Sequence, residues 1–318
     1  MTALVIGESV LDVVHAPGLA PVERPGGSAV NVAVALARLG RAVRLATSYG
    51  DDAAGRLVAE HLRAAGVGLA GTPTVLGATS RAEAVIGGDG AATYTFAMGW
   101  ELPADVEEPA EAARVVHVTS QAPLLAPGAA DTLALVERLR AAGATVSYDI
   151  NLRPAVTGTG PDVAAGVLRM AALADIVKAS DEDLLALWPE RFVGESATAL
   201  LAIPGGPVAV VVTHGGDGAS WHACSGADWS TGGVHAPPVE VVDTIGAGDT
   251  FAAGLLDHLW PVLGPGGRER ICGLGPEEWT AVLAYAARAA AVTVGRVGAD
   301  PPTRDQLSET APAEGEAV

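Results

Sequence analysis

Strand-length runs alternate with helix-length segments along most of the chain, and that alternation limits the fold more than any single motif. Apolar, β-branched runs stand at 3–6, 43–47, 114–119, 145–149, 176–178 and 208–213. Between them lie segments with apolar residues at helical spacing, 32–39, 53–65, 131–142 and 181–188, and a further Ala-rich helix is expected over 279–294. Repeated units of this size predict an α/β chain with a mainly parallel central sheet covered by helices on both faces. Open sheets of this kind place their sites at the carboxyl ends of the strands. One region departs from the rhythm. Over 72–96 the runs 74–76, 81–86 and 92–96 are short, and Gly87-Gly88-Asp89-Gly90 reads as a hairpin turn. This predicts a small antiparallel sheet, either a lid over a site or a passive edge extension. Arg81 on that sheet is either aimed at a substrate or solvated.

The junction at 239–260 has the most chemical content. Residues 239–242 are β-branched and apolar, which predicts a strand, and 251–260 predict a helix. Between them stands Gly246-Ala247-Gly248-Asp249. Small residues let a ligand approach the backbone, and the first amides of the helix are unpaired at the positive end of its dipole, so the junction favours an anion. Asp249 in the first turn would stabilise the helix as an ordinary N-terminal carboxylate. A helix that needs only a cap does not need glycines before it, however. A carboxylate beside an anion site suits phosphoryl transfer to an alcohol, with amides stabilising the moving group and the carboxylate taking the hydroxyl proton.

Charge and composition remove several classes. The formal charge of −18 argues against a nucleic-acid partner, because phosphate backbones are held by Lys and Arg. Lys178 is the only lysine in 318 residues, and Ala-Leu-Ala-Asp-Ile-Val precedes it, so neither a P-loop nor the protein-kinase arrangement is present. Gly66-Val67-Gly68-Leu69-Ala70-Gly71 matches a dinucleotide fingerprint, but a helix precedes it and extended chain follows, the reverse of what that motif requires. The apolar start is interrupted by Glu8 and Asp12 and lacks a basic flank, which predicts a first strand and not a signal peptide. No apolar run reaches spanning length, so no membrane is expected and a cytoplasmic location is. Cys224 and Cys272 suit a reducing compartment and read as separate small, buried residues.

Four further groups of polar residues fall at strand ends or helix starts. Asp12 is either an exposed turn acid or a carboxylate that accepts two sugar hydroxyls. Gly26-Gly27-Ser28-Ala29-Val30-Asn31 opens a helix that Gly40 ends, and is either a plain loop or a pocket floor where amides and a carboxamide meet a polyol. Asp149-Ile150-Asn151-Leu152-Arg153-Pro154 closes one strand, and Thr213-His214-Gly215-Gly216-Asp217-Gly218 closes another as a hairpin or a nucleotide cradle.

The first glycine pair with Asn31, followed by Gly40 and Gly50, and the run Asp243-Thr244-Ile245-Gly246-Ala247-Gly248-Asp249-Thr250-Phe251 resemble the two signatures of the ribokinase-like (PfkB) carbohydrate kinases. The resemblance covers essentially the whole chain. It implies a Rossmann-like core, a small β-sheet lid, and transfer of the ATP γ-phosphate to a sugar hydroxyl with Mg²⁺. Residue by residue, it implies Asp249 as base, Gly246, Ala247 and Gly248 as anion hole, and Asp12, Gly26, Gly27 and Asn31 on the sugar. Lys178, Ser180, Thr213, Gly215 and Gly218 would serve the nucleotide. The family's Asn-x-x-Glu element falls on Ser180 and Asp183, which leaves Asp183 as an indirect Mg²⁺ residue. Asp243, Ile245, Thr293 and Gly298 correspond to a monovalent-cation loop, with K⁺ as the ion.

Gly7-Glu8, 116–120 and 149–154 resemble fructokinases and 2-keto-3-deoxygluconate kinases, so a fructose-like ketose is favoured, and Arg153 pairs with a sugar-acid carboxylate, with phosphate, or in a structural salt bridge. Ribokinase and nucleoside kinase activity stay open, the latter disfavoured because 81–85 carry no aromatic group. A non-catalytic sugar-binding protein of the same fold is the competing class. The expected division is a core of 1–11, 26–71 and 101–307, a lid of 12–25 and 72–100, and a loose acidic tail from 308 to 318. A homodimer through the lid edges is expected.

Overall fold

Strand β1 (Thr2–Ile6) sits inside the larger sheet, and its alternation sets the two sides of the molecule. Ala3 and Val5 face one apolar cluster, Leu4 and Ile6 the other. A computed structural model describes residues 1–87, 92–106, 113–225 and 228–309. In it β1 pairs in parallel with β4 (Val43–Ala46) and β8 (Ala113–Thr119). Parallel pairing continues through β9 (Thr145–Asp149), β10 (Ile176–Ser180) and β11 (Ala209–Thr213). The antiparallel hairpin of β12 (Ala219–Ser225) and β13 (Asp228–Val234) extends one edge, and the two-residue β5 (Gly68–Leu69) ends the other.

Helices cover both faces because each strand is apolar on both sides. On the Ala3 and Val5 side lie α1 (Ser28–Arg38), α2 (Ala53–Ala64), α8 (Ala247–His258) and α10 (Pro276–Val294). The other side is covered by α3 (Gly128–Ala141), α5 (Pro161–Ala171), α6 (Asp181–Leu187) and α7 (Val193–Leu201). Short α4 (Pro154–Thr157), α9 (Gly267–Cys272) and α11 (Arg304–Glu309) complete the chain. Each fully buried Leu or Val of these clusters contributes on the order of 1.5–3 kcal/mol. Close approach matters most between α8 and α10: a Cβ on Gly254 would lie 3.0 Å from Ala286 Cα, so only glycine lets the helices pack at this distance.

The second sheet is separate, with the order β3 (Val22–Gly26), β2 (Val10–His15), β6 (Ser80–Ile86) and β7 (Ala92–Ala97). Asp52 ties it to the core. Its carboxylate caps α2 through the Gly55 amide at 2.7 Å and also accepts the Thr79 amide at 2.9 Å, immediately before β6.

Several expectations are corrected. Residues 239–242 form no strand: they lack a neighbouring strand, and the amides of Val242 and Asp243 both donate to the Val294 carbonyl at the end of α10. Residues 74–76 make only a bridge from Leu76 to Gly50. The glycines at 66–71 follow α2 and enter β5 with no helix after them, as their context implied. Cys224 and Cys272, read as separate residues, are bonded to each other with Cα atoms 5.0 Å apart, because β12 and α9 pack together across 48 positions of sequence. The expected turn at 88–90 and the acidic tail beyond 309 lie outside the described residues. Among the described residues no helix is long and apolar enough to cross a membrane.

Candidate active site

Residues just beyond the carboxyl ends of β1, β8 and β9 meet the start of α8 and the second sheet around a cavity of about 360 Å³. Asp249 lies on its wall, in the first turn of α8, and is 6% exposed. Three donors converge on its carboxylate. Ser28 Oγ donates to Oδ1 at 2.6 Å, Asn31 Nδ2 to Oδ2 at 2.8 Å, and Asn151 Nδ2 to Oδ1 at 3.3 Å. Asn151 also donates to Ser28 Oγ at 2.7 Å. The carboxylate is therefore fixed in rotation by groups from α1 and from the turn after β9, and charge-assisted hydrogen bonds of this kind are the stronger sort. Asn151 has φ 36°, a left-handed value that a non-glycine residue adopts at some cost.

Gly246 caps α8 with φ 75°, and a Cβ there would lie 2.5 Å from that of Ala299. The turn it makes changes the expected anion hole. Ala247 N–H donates to the Thr244 carbonyl at 3.2 Å and is not available. The amides of Gly246, Gly248 and Asp249 have no intramolecular partner among the described residues. The bare amides at the start of α8 are thus Gly246, Gly248 and Asp249, beside one another at the positive end of the helix.

Behind Gly248 lies the lysine. Lys178 is buried and its Nζ is 2.9 Å and 3.1 Å from the two oxygens of Asp149, its register partner on β9. A Cβ on Gly248 would lie 3.7 Å from that ammonium. Burial raises Asp149 to about 6, against the lowering effect of Lys178. Ser180, Thr213, Gly215 and Gly218 gather at the ends of β10 and β11, where Ser180 pairs with Thr213, and none of them lines the cavity.

Asp12 lines the cavity from β2, and burial raises it to about 6 in spite of the Arg153 charge. Gly26 permits this position, since a Cβ on it would lie 2.4 Å from Asp12 Oδ2. Gly27, at φ 100°, brings its backbone close enough that a Cβ would lie 2.6 Å from the Glu8 carbonyl. Arg153 lines the cavity too, and its Nη1 donates to the neutral Asn151 Oδ1 at 2.6 Å, which is not a salt bridge. Arg81 is not at the site: its register partner is Leu11, and the next residue, Ala82, faces the cavity. The aromatic group absent from 81–85 comes instead from β7, where Phe96 lines the cavity and stacks on Tyr94 with ring centroids 6.3 Å apart.

Asp183 accepts backbone amides at both carboxylate oxygens, Leu152 N–H at Oδ1 and Ser180 N–H at Oδ2, each at 2.8 Å, and so organises the two loops. Asp243 accepts the amides of Ile245 at 3.0 Å and Gly298 at 2.8 Å and so draws that loop together. Thr293 is fully buried and its hydroxyl donates to Thr250 Oγ1 at 3.0 Å. Sequence reasoning missed Ser28, Gln121 and the site role of Glu8. Ser28 had a local signal, standing between the glycine pair and Asn31. Gln121 had none.

This arrangement is that of an α/β kinase for small molecules. A fructokinase from Rhizobium leguminosarum bv. trifolii is 33% identical over 268 residues, covering 80% of this chain and 79% of its own. The crystal structure of a Xylella fastidiosa fructokinase with bound ATP superposes with a TM-score of 0.82 at 27% identity, over 97% of each chain. That of aminoimidazole riboside kinase from Salmonella enterica, complexed with aminoimidazole riboside and an ATP analog, gives 0.74 at 26% identity over 97% of this chain and 99% of its own. The chain belongs to the pfkB family of carbohydrate kinases, whose model matches residues 4–306. It is an ATP-dependent sugar kinase of the fructokinase-like branch.

Proposed function

We propose that this kinase phosphorylates a hydroxyl of a fructose-like ketose, with Asp249 as general base. The observation that carries the reading is the Asp249 carboxylate, held by three donors on the cavity wall beside the bare amides of Gly246 and Gly248. In this mechanism the sugar lies against Asp12, Gly27 and Asn31, with the reacting hydroxyl within hydrogen-bond reach of Asp249. Gly26 keeps room for Asp12. As the hydroxyl attacks, Asp249 takes its proton, and the α8 amides stabilise the charge of the transferring group. The ammonium of Lys178 behind Gly248 adds positive charge there, while Asp149 keeps it neutralised at rest. Ser180, Thr213, Gly215 and Gly218 lie along the nucleotide. The second sheet, 12–25 and 72–100 in this division, is the lid that excludes water.

Magnesium, when bound, neutralises the phosphate oxygens. The site suits an ion carried mainly by phosphates and water, with Asp183 ordering Leu152 and Ser180 as an indirect contributor. Potassium fits the oxygen-rich loop of Asp243, Ile245, Thr293 and Gly298, whose carbonyls are hard donors. Lid-to-lid pairing of two copies would cover the exposed Val14, Val22 and Tyr94.

One observation favours a second reading, an acceptor that carries a planar base. Phe96 on the cavity wall, stacked on Tyr94, offers a platform for such a group. A coupled ADP-release screen over ketoses, aldoses, keto-deoxy sugar acids and nucleosides separates the readings. Fructose should lead. Sugar binding by calorimetry with no ADP release for any acceptor would instead mark a non-catalytic binding protein.

A further inference from the structure

Ser28, the first residue of α1, is the junction of two hydrogen-bonded chains that end on Asp249. The first comes from the turn after β9. Arg153 Nη1 donates to Asn151 Oδ1 at 2.6 Å, which orients the carboxamide with Nδ2 turned the other way. That Nδ2 donates to Ser28 Oγ at 2.7 Å and to Asp249 Oδ1 at 3.3 Å. The second chain comes from the end of β8. Thr119 Oγ1 lies 2.7 Å from Ser28 Oγ, and Ser28 spends its single hydrogen on Asp249 Oδ1 at 2.6 Å, so Thr119 is the donor of that pair. A hydroxyl has one donor and two acceptor positions. All three are filled at Ser28, and both hydroxyl groups are buried.

The two oxygens of Asp249 are therefore unequal. Each carboxylate oxygen can accept two hydrogen bonds. Oδ1 has both, from Ser28 and Asn151, whereas Oδ2 has only the one from Asn31. The acceptor position left open on this carboxylate is on Oδ2.

We propose that Ser28 is a positioning residue for phosphoryl transfer: with Asn151 it fills Asp249 Oδ1 and leaves Oδ2 as the oxygen that takes the proton of the acceptor hydroxyl. The proposal rests on the reading of Asp249 as general base and deepens it. In the step, the hydroxyl oxygen bonds to the γ-phosphorus of ATP, the bond from that phosphorus to the departing ADP oxygen breaks, and the hydroxyl proton passes to Oδ2. Donors on Oδ1 favour the ionised carboxylate that this step starts from. Ser28 acts through Asp249, so its loss is read in kcat and not in KM.

The test is ADP release with fructose, or with whichever acceptor leads the screen, across a range of pH. Ser28→Ala should lower kcat by about 10- to 100-fold with KM nearly unchanged. The acid limb of its kcat profile should move up by about one pH unit, because the carboxylate has lost a donor. Glu8, Asp12, Asp149, Arg153 and Lys178 surround the same corner, but both proteins carry them, so the displacement between the profiles reports Ser28. Added to Asp249→Asn, Ser28→Ala should cost nothing further in kcat. Asn151→Gly removes the other Oδ1 donor at a φ of 36° that glycine adopts freely, and should give the same kcat loss and displacement even if Ser28→Ala does not fold. Wild-type kcat with an unmoved acid limb in either variant overturns the proposal, as does a further loss when Ser28→Ala is added to Asp249→Asn. The single variant Asp249→Asn keeps the two levels apart. Turnover equal to wild type there removes the base reading itself, whereas a slow Asp249→Asn beside an unchanged Ser28→Ala removes only the role of Ser28.

Discussion

Asn31 Nδ2 donates to Asp249 Oδ2 at 2.8 Å, joining the start of α1 to the start of α8 across 218 positions of sequence. Both helices begin after a glycine with positive φ, Gly27 and Gly246, so both present their first turns to one cavity. The bond fixes one edge of the carboxylate and leaves its direction set by two helices packed on the same face of the sheet.

Asp249→Asn tests the proposed base. The variant should keep nucleotide binding and lose at least about two orders of magnitude in kcat, the scale of proton transfer by a positioned side chain. Its amide would face the Asn31 and Ser28 donors, so a modest fall in melting temperature is expected beside the kinetic loss. Turnover equal to wild type in the ADP-release assay excludes the assignment.

Gly246→Ala should fail for two reasons at one atom. The left-handed backbone disfavours any Cβ, and that Cβ would meet Ala299 at 2.5 Å. A destabilisation of about 1–3 kcal/mol is expected from such strain. Urea unfolding with an unchanged midpoint would mean that the turn relaxes without cost.

Lys178→Met leaves Asp149 buried without its counter-ion. Removal of one partner from a buried ion pair destabilises by about 3–5 kcal/mol. The double variant Lys178→Met with Asp149→Asn should recover much of that, since it removes the stranded charge as well. Additive losses in a double-mutant cycle would show that the two do not interact.

Glu8 gives a pH signature in stability alone. Burial, the largest effect, raises its carboxyl from 4.5 to about 7, opposed by its own backbone amide, Arg153 and Ser120 and assisted by Asp249. A carboxyl raised on folding binds more protons in the folded state, so its contribution is complete below the unfolded value and is lost as pH rises through about 7. Wild type should therefore lose stability relative to Glu8→Gln between about pH 5 and pH 8. Asp12 and Asp149, both raised to about 6, slope the same way but are shared by the two proteins. Asp52 runs opposite: bonds from Thr79 and Gly55 lower it to about 2, and its contribution is lost only as pH falls toward that value. A melting-temperature difference that is flat across the range would rule out a buried, titrating Glu8.

Much of the site was legible where one local segment carries the whole signal. The glycines at 246 and 248 imply a backbone that a ligand can approach, and Asp249 behind them is placed by helix geometry alone. Strand–helix alternation likewise determined a parallel sheet, because periodicities of 2 and 3.6 are properties of neighbouring residues. What depended on partners was not legible. Residues 239–242 have strand-like chemistry but no strand beside them, so their amides went to Val294. The Ala247 amide turned to Thr244 because Gly246 adopts a left-handed turn, which sequence permits without requiring. Lys178 was conspicuous as the only lysine, yet its pairing with Asp149 follows from the register of two strands. Glu8 and Gln121 line one cavity because β1 lies beside β8. Local sequence determines which backbone shapes are accessible, whereas a polar atom's partner is chosen by the sheet order, and with it the shape and charge of the cavity.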